Sequence, residues 1–105
     1  MKTERRQHVR VPGPFSASLR LQGRNVPVRI LNLSEGGCYV EGGAPPPGGK
    51  SVVFEISFPT AGSLVVSGEA LLTRSDGYAV LFGGMTDANY SKLERIINNL
   101  RSMVP

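Results

Sequence analysis

The sequence is poor in the residues that carry out chemistry. It holds one cysteine, Cys38, and one histidine, His8. A single cysteine cannot close an internal disulfide, which points away from a disulfide-stapled secreted domain. The pair also lacks metal-ligand spacing, and zinc wants four protein ligands, or three and a water. Sequence distance alone leaves a Cys–His nucleophilic pair open. Cys38, between Gly37 and Tyr39, reads instead as a small buried filler, because free cysteine is among the most buried residue types. No apolar run approaches the roughly 20 residues of a membrane span, and no signal-peptide pattern opens the chain. These shortages favour a cytoplasmic protein. The carboxylates Glu35, Glu41, Glu55, Glu69, Asp76 and Asp87 show no pairing suited to acid–base work, and Asp76 is explained by a turn with Gly77. Gly36-Gly37 is no phosphate loop, since no Gly-Lys-Ser/Thr follows it. The expectation is a protein without catalytic residues, metal or cofactor: not an enzyme.

What is present fits one small folded domain. The 105 residues suffice for one core. Hydrophobic content of 40% and charged content of 19% are ordinary for a globular chain, so disorder throughout is excluded. Thirteen glycines and eight prolines suit short strands joined by turns better than a helical bundle. The formal net charge of +4 is unevenly spread. In the first ten residues Lys2, Arg5, Arg6 and Arg10 face only Glu4. Such a segment is either a solvated basic tail or a phosphate-binding arm, since guanidinium meets phosphate with two parallel hydrogen bonds.

Residues 1–13 show no apolar periodicity and end in Val11-Pro12-Gly13-Pro14, so they read as a flexible basic arm. Residues 14–105 read as the barrel and its helix. Phe15, Ala17, Leu19 and Leu21 alternate with polar residues, the period of a half-buried strand. Gly23-Arg24-Asn25 reads as a tight turn, and Val26, Val28 and Ile30 as a second strand. Cys38-Tyr39-Val40 is a short third strand. The Gly/Pro-rich stretch 42–49 is a loop. Val52, Phe54, Ile56 and Phe58 make a fourth strand. Leu64, Val66, Ala70 and Leu72 make a fifth, interrupted by Gly68 at a bend or bulge. Asp76-Gly77 turns into a sixth strand with Tyr78, Val80 and Phe82. Tyr90, Leu93, Ile96, Ile97 and Leu100 then recur at helical spacing, which predicts a helix over 86–103 capped by Thr86 or Asp87. The fold expected is all-β with a C-terminal helix: a six-stranded antiparallel β-barrel with the helix packed on it.

Two stretches are left unexplained by the core. One is Asn32-Leu33-Ser34-Glu35-Gly36-Gly37, at the end of the second strand. The other is Arg5-Arg6-Gln7-His8-Val9-Arg10. Asn32 and Ser34 are also what a turn with local backbone hydrogen bonds uses. The glycine pair permits unusual backbone angles or close approach of a ligand.

Arg6-x-x-x-Arg10 followed by Asn32-x-Ser34-x-x-Gly37 resembles the signature of the PilZ domain family, an RxxxR loop and a [D/N]xSxxG barrel motif. Arg5 supplies the extra arginine often found just before the first. The resemblance spans nearly the whole chain. It implies a receptor for the bacterial second messenger cyclic di-GMP. In that reading Arg6 and Arg10, helped by Arg5, clamp phosphate or guanine. Asn32 meets the guanine edge and Ser34 a phosphate or ribose oxygen. Gly37 keeps the packing surface clear, and Gly36 serves the turn. The arm would order on binding and pass the signal to an unidentified downstream protein, with the chain a monomer or weak dimer.

Two rivals stand beside this. A PilZ-like adaptor would make protein–protein contacts without binding nucleotide. A barrel for single-stranded nucleic acid would need exposed aromatics along a basic groove. Most of Phe15, Tyr39, Phe54, Phe58, Tyr78, Phe82 and Tyr90 fall on inward strand positions or the apolar helix face. Tyr39 and Tyr78 read as core or rim residues, so neither DNA nor RNA is an expected partner.

Overall fold

A computed structural model describes residues 10–21, 23–42, 51–59, 61–74 and 76–102. The elements are β1 (Val11–Leu21), β2 (Arg24–Leu33), β3 (Gly37–Glu41), β4 (Ser51–Phe58), β5 (Gly62–Arg74), β6 (Gly77–Phe82) and α1 (Asp87–Ser102). All strand pairs are antiparallel, and the order β1-β2-β3-β6-β5-β4 closes on itself through β4 and β1. Closure leaves no sheet edge open to a neighbouring chain.

The period-two pattern places the core. Phe15, Ala17, Leu19, Ile30, Leu33, Cys38, Val40, Val52, Phe54, Ile56, Phe58, Leu64, Val66, Tyr78, Val80 and Phe82 are all buried inside the barrel wall. Each large apolar side chain so buried contributes about 1.5–3 kcal/mol before entropy is counted. Phe15 and Phe58 pack with ring centroids 5.5 Å apart, tilted at 58°. Cys38 is buried as expected, and desolvation pushes its thiol up to about 12. The Tyr78 phenol is likewise pushed up to about 12, first by burial and then by Cys38. Its hydroxyl has no hydrogen-bond partner among the described residues.

The helix covers the barrel with Leu93, Ile96 and Ile97, all in the core. Thr86, not Asp87, is the cap: its Oγ1 accepts from the Asn89 amide at 3.1 Å. Lys92 Nζ donates to the Ser63 carbonyl at 2.9 Å and Asn89 Nδ2 to the Val65 carbonyl at 3.2 Å, tying α1 to β5. Tyr90, counted with the apolar stripe, is 37% exposed.

Three boundaries differ from expectation. First, β1 begins at Val11, inside the stretch read as arm. Val11 pairs with Leu33 and Pro12 with Asn32, and a register shift before Phe15 absorbs Gly13 and Pro14. Pro-Gly-Pro forbids a helix but suits extended chain, and proline is tolerated at a strand start or bulge. Second, Arg24 and Asn25 are already in β2, paired with Leu21 and Arg20; the turn is made at Gly23, whose φ of 79° is left-handed. Third, β5 is not broken at Gly68, which pairs with both Val52 and Phe82. Its irregularity lies further on, between Ala70 and Thr73.

Candidate functional site

The site grows from the register of four neighbouring strands. On β2 the shift between Ile30 and Asn32 turns Asn32 to the outer face while Leu33 stays buried. Asn32 then lies beside Tyr39 of β3, Tyr39 beside Ala79 of β6, and Gly37 beside Leu81. Because Val11 pairs with Leu33 and points inward, Arg10 before it falls on the outer side. Its Nη1 donates to Asn32 Oδ1 at 3.5 Å. Arg10, Asn32, Ser34, Gly36 and Gly37 thus line one open cleft of about 310 Å³, together with Tyr39, Leu71, Ala79 and Leu81. Arg5 and Arg6 lie outside the described residues, as does His8.

Ser34 does something different from what its motif position suggested. It is only 8% exposed. Its Oγ accepts from the amides of Gly36 and Gly37, both at 3.2 Å, and donates to the Gly37 carbonyl at 3.3 Å. One donor and two acceptor positions are all a serine hydroxyl has, so the turn uses them fully. A backbone bond from Ser34 N to Gly37 O, 2.8 Å, closes the same turn. The Gly36 carbonyl accepts from Phe82 N at 2.9 Å, which ties the turn to the end of β6.

Gly37 borders the cleft, yet its lack of a side chain answers to the barrel. It has no left-handed φ. A Cβ there would run into the Val80 carbonyl oxygen of β6. The demand for glycine therefore comes from strand packing.

The sequence reading missed the apolar floor. Leu71 and Leu81 are 54% and 53% exposed, unusual for two leucines that share a cleft. Alternation held the signal: Leu81 lies between inward Val80 and Phe82, and Tyr39 between inward Cys38 and Val40. Tyr39 is half-buried at the cleft wall, and its hydroxyl donates to Asp76 Oδ1 at 2.6 Å. Nearby on the outer face, Arg29 and Glu41 pair at 3.3 Å, both well exposed. Among the described residues Arg10 is the cation in the cleft lining.

Two other clefts lack this chemistry. One, of about 410 Å³ against α1, is lined by Glu35, Asp87 and Glu94, which would repel an anion. Another, of about 440 Å³ over β4 and β5, has no arginine or lysine among the described residues of its lining. Among the described residues no group of three or more His, Cys, Asp or Glu could hold a metal ion.

The closed barrel thus carries on its wall a cleft that joins polar Arg10 and Asn32 to apolar side chains. The PilZ domain family model matches residues 4–99, and the chain belongs to the PilZ domain family. Among solved structures, the PilZ domain of YcgR from Escherichia coli with c-di-GMP superposes with a TM-score of 0.71. It is 16% identical and covers 94% of this chain and 93% of that one. The Bacillus subtilis inhibitor of motility MotI/DgrA gives 0.67 at 15% identity, covering 94% of this chain and 53% of that one. MrkH from K. pneumonia in its apo state gives 0.71 at 15% identity, covering 98% and 53%. At such identities the likeness speaks for the fold. No curated protein matches the chain.

Proposed function

We propose that this protein is a cyclic di-GMP receptor that binds the ligand between its N-terminal arginines and the outer wall of the barrel. The observation that carries the reading is the meeting of Arg10 with Asn32 in one cleft, at 3.5 Å. Family membership supports it, as does the likeness to a PilZ domain solved with c-di-GMP.

The residues suit the ligand's parts. A guanidinium can clamp phosphate bidentately, pair with guanine O6 and N7, or stack on the base. Arg10 takes one of these roles from the barrel side, and Arg6 and Arg5 supply the others from the arm. Asn32, with donor and acceptor on one amide, reads the guanine edge. Ser34 and Gly36 act by holding the turn that presents Asn32, and Gly37 by letting β3 approach β6. Ligand sites span about 300–1,000 Å³. The cleft of about 310 Å³ falls at the small end of that range. In this reading the arginine arm covers what of the ligand stands outside it. Ordering residues 1–9 over the ligand costs entropy that charge-assisted contacts offset, and the closed arm offers a downstream protein a new surface.

In this reading the protein is a cytoplasmic receptor and not an enzyme, working as a monomer or weak dimer without DNA or RNA. No helix among the described residues is long and apolar enough to cross a membrane.

Calorimetry with cyclic di-GMP tests the reading. Wild type should give saturable heat, and Arg6→Ala and Arg10→Ala should each weaken binding at least about ten-fold, the cost of one charge-assisted contact. No heat from wild type at high micromolar ligand would remove the receptor and leave the adaptor. Hydrogen exchange tests the arm: amides of residues 2–9 should gain protection with ligand, and unchanged exchange would sink the relay.

A further inference from the structure

We propose that Tyr39, Leu71, Ala79 and Leu81 form a base-binding floor in the cleft, with Tyr39 fixed by Asp76 as the residue that positions the ligand's base. The inference rests on the cyclic di-GMP reading and names side chains outside the RxxxR and NxSxxG motifs.

The floor follows from register. Tyr39 and Ala79 are direct partners across β3 and β6, and Leu81 follows two residues along on the same face. Leu71 enters from β5 at the register shift between Ala70 and Thr73. Such a shift re-aims outward side chains, and here Leu71 meets the same cleft as Leu81. Two leucines more than half exposed on a barrel wall leave water only when another apolar surface covers them.

The Tyr39 hydroxyl donates to Asp76 Oδ1 at 2.6 Å, a charge-assisted length that ties the ring to the β5–β6 turn. The ring edge runs close past Gly77, where a Cβ would stand 3.0 Å from Tyr39 Cε2.

Charge complementarity commits the floor to a nucleotide base. The lining combines the polar side chains of Arg10 and Asn32 with the apolar ones of Leu71, Ala79 and Leu81. A purine offers two apolar faces and a hydrogen-bonding edge, with phosphate attached. Its face lies on Leu71 and Leu81, its edge reaches Asn32 and its phosphate reaches Arg10. A protein partner or a second copy would leave Arg10 and Asn32 to be matched separately.

The test uses the full chain and cyclic di-GMP. Leu81→Ser and Leu71→Ser remove apolar area from exposed positions without adding charge, so the fold is kept, which melting curves verify. Each should weaken binding about ten-fold, the worth of one covered leucine, whereas Leu81→Met should bind within about two-fold of wild type. Tyr39→Phe keeps the ring but releases it from Asp76, and should weaken binding several-fold. In methyl-labelled protein, guanine H8 should show cross-relaxation to Leu71 and Leu81 methyls. Wild-type binding with unaltered affinity in both serine variants and no such cross-relaxation overturns the floor while the receptor stands. Unaltered nucleotide affinity with lost self-association or lost protein capture would make the patch a protein-docking surface and equally overturn it. No binding by wild type removes the receptor reading and the floor together.

Discussion

Arg10, one residue ahead of β1, holds its guanidinium 3.5 Å from the side-chain oxygen of Asn32 in β2. The two groups come from stretches that share no strand, and the pairing of Val11 with Leu33 brings them together. At that length the bond is weak, and Arg10 is exposed. The contact therefore contributes little to stability and leaves both groups available to a ligand.

It follows that Arg10→Ala and Asn32→Ala should separate stability from binding. Each should leave the melting temperature within about 2 °C of wild type, as surface changes do. Each should weaken cyclic di-GMP at least about ten-fold. A drop of 10 °C in either variant would show that the contact is structural.

Ser34→Ala should behave in the opposite way. It strips the Gly36 and Gly37 amides of their acceptor in a half-buried turn. Unsatisfied buried groups cost about 1–3 kcal/mol, so a fall in melting temperature of roughly 5–15 °C is expected. Any loss of ligand affinity should then be largely restored by lowering the temperature. Unchanged melting would remove Ser34 from the turn's framework.

Gly37→Ala should be the most damaging single change at the cleft. The new methyl meets the Val80 carbonyl, so β3 and β6 must part. We expect loss of more than about 3 kcal/mol, read as insoluble expression or a melting temperature lowered by over 10 °C. A soluble variant melting like wild type would show that the strands have room for a side chain.

Alkaline pH should loosen the barrel. Cys38 and Tyr78 ionise near 9.0 and 10.0 when free, and burial pushes both up to about 12. Above the unfolded values the unfolded chain releases protons that the folded chain keeps. The stability from these groups is whole below about pH 9 and is lost progressively toward pH 12. The melting temperature should fall by at least about 5 °C between pH 8 and pH 11. Cys38→Ala and Tyr78→Phe should each flatten that slope, and a slope unchanged in both would place the alkaline loss elsewhere.

The sequence alone determined what depends on local period and chemistry. Alternation at Phe15 to Leu19, Val52 to Phe58 and Tyr78 to Phe82 fixed which face of each strand is buried, because side chains alternate across a pleated strand. Helical spacing of Leu93, Ile96 and Ile97 did the same for α1. The two motifs named Arg10 and Asn32 before any geometry. Only tertiary structure decided the rest. Closure of the barrel set which strands are neighbours, and pairing register set that Arg10 meets Asn32. Bulges shifted Asn32 outward and brought Leu71 to the cleft, and no local pattern predicts where a bulge falls. The same holds for Ser34 and Gly37. A motif says that serine and glycine stand there, but whether a hydroxyl faces a ligand or its own turn depends on which backbone groups the fold brings within reach.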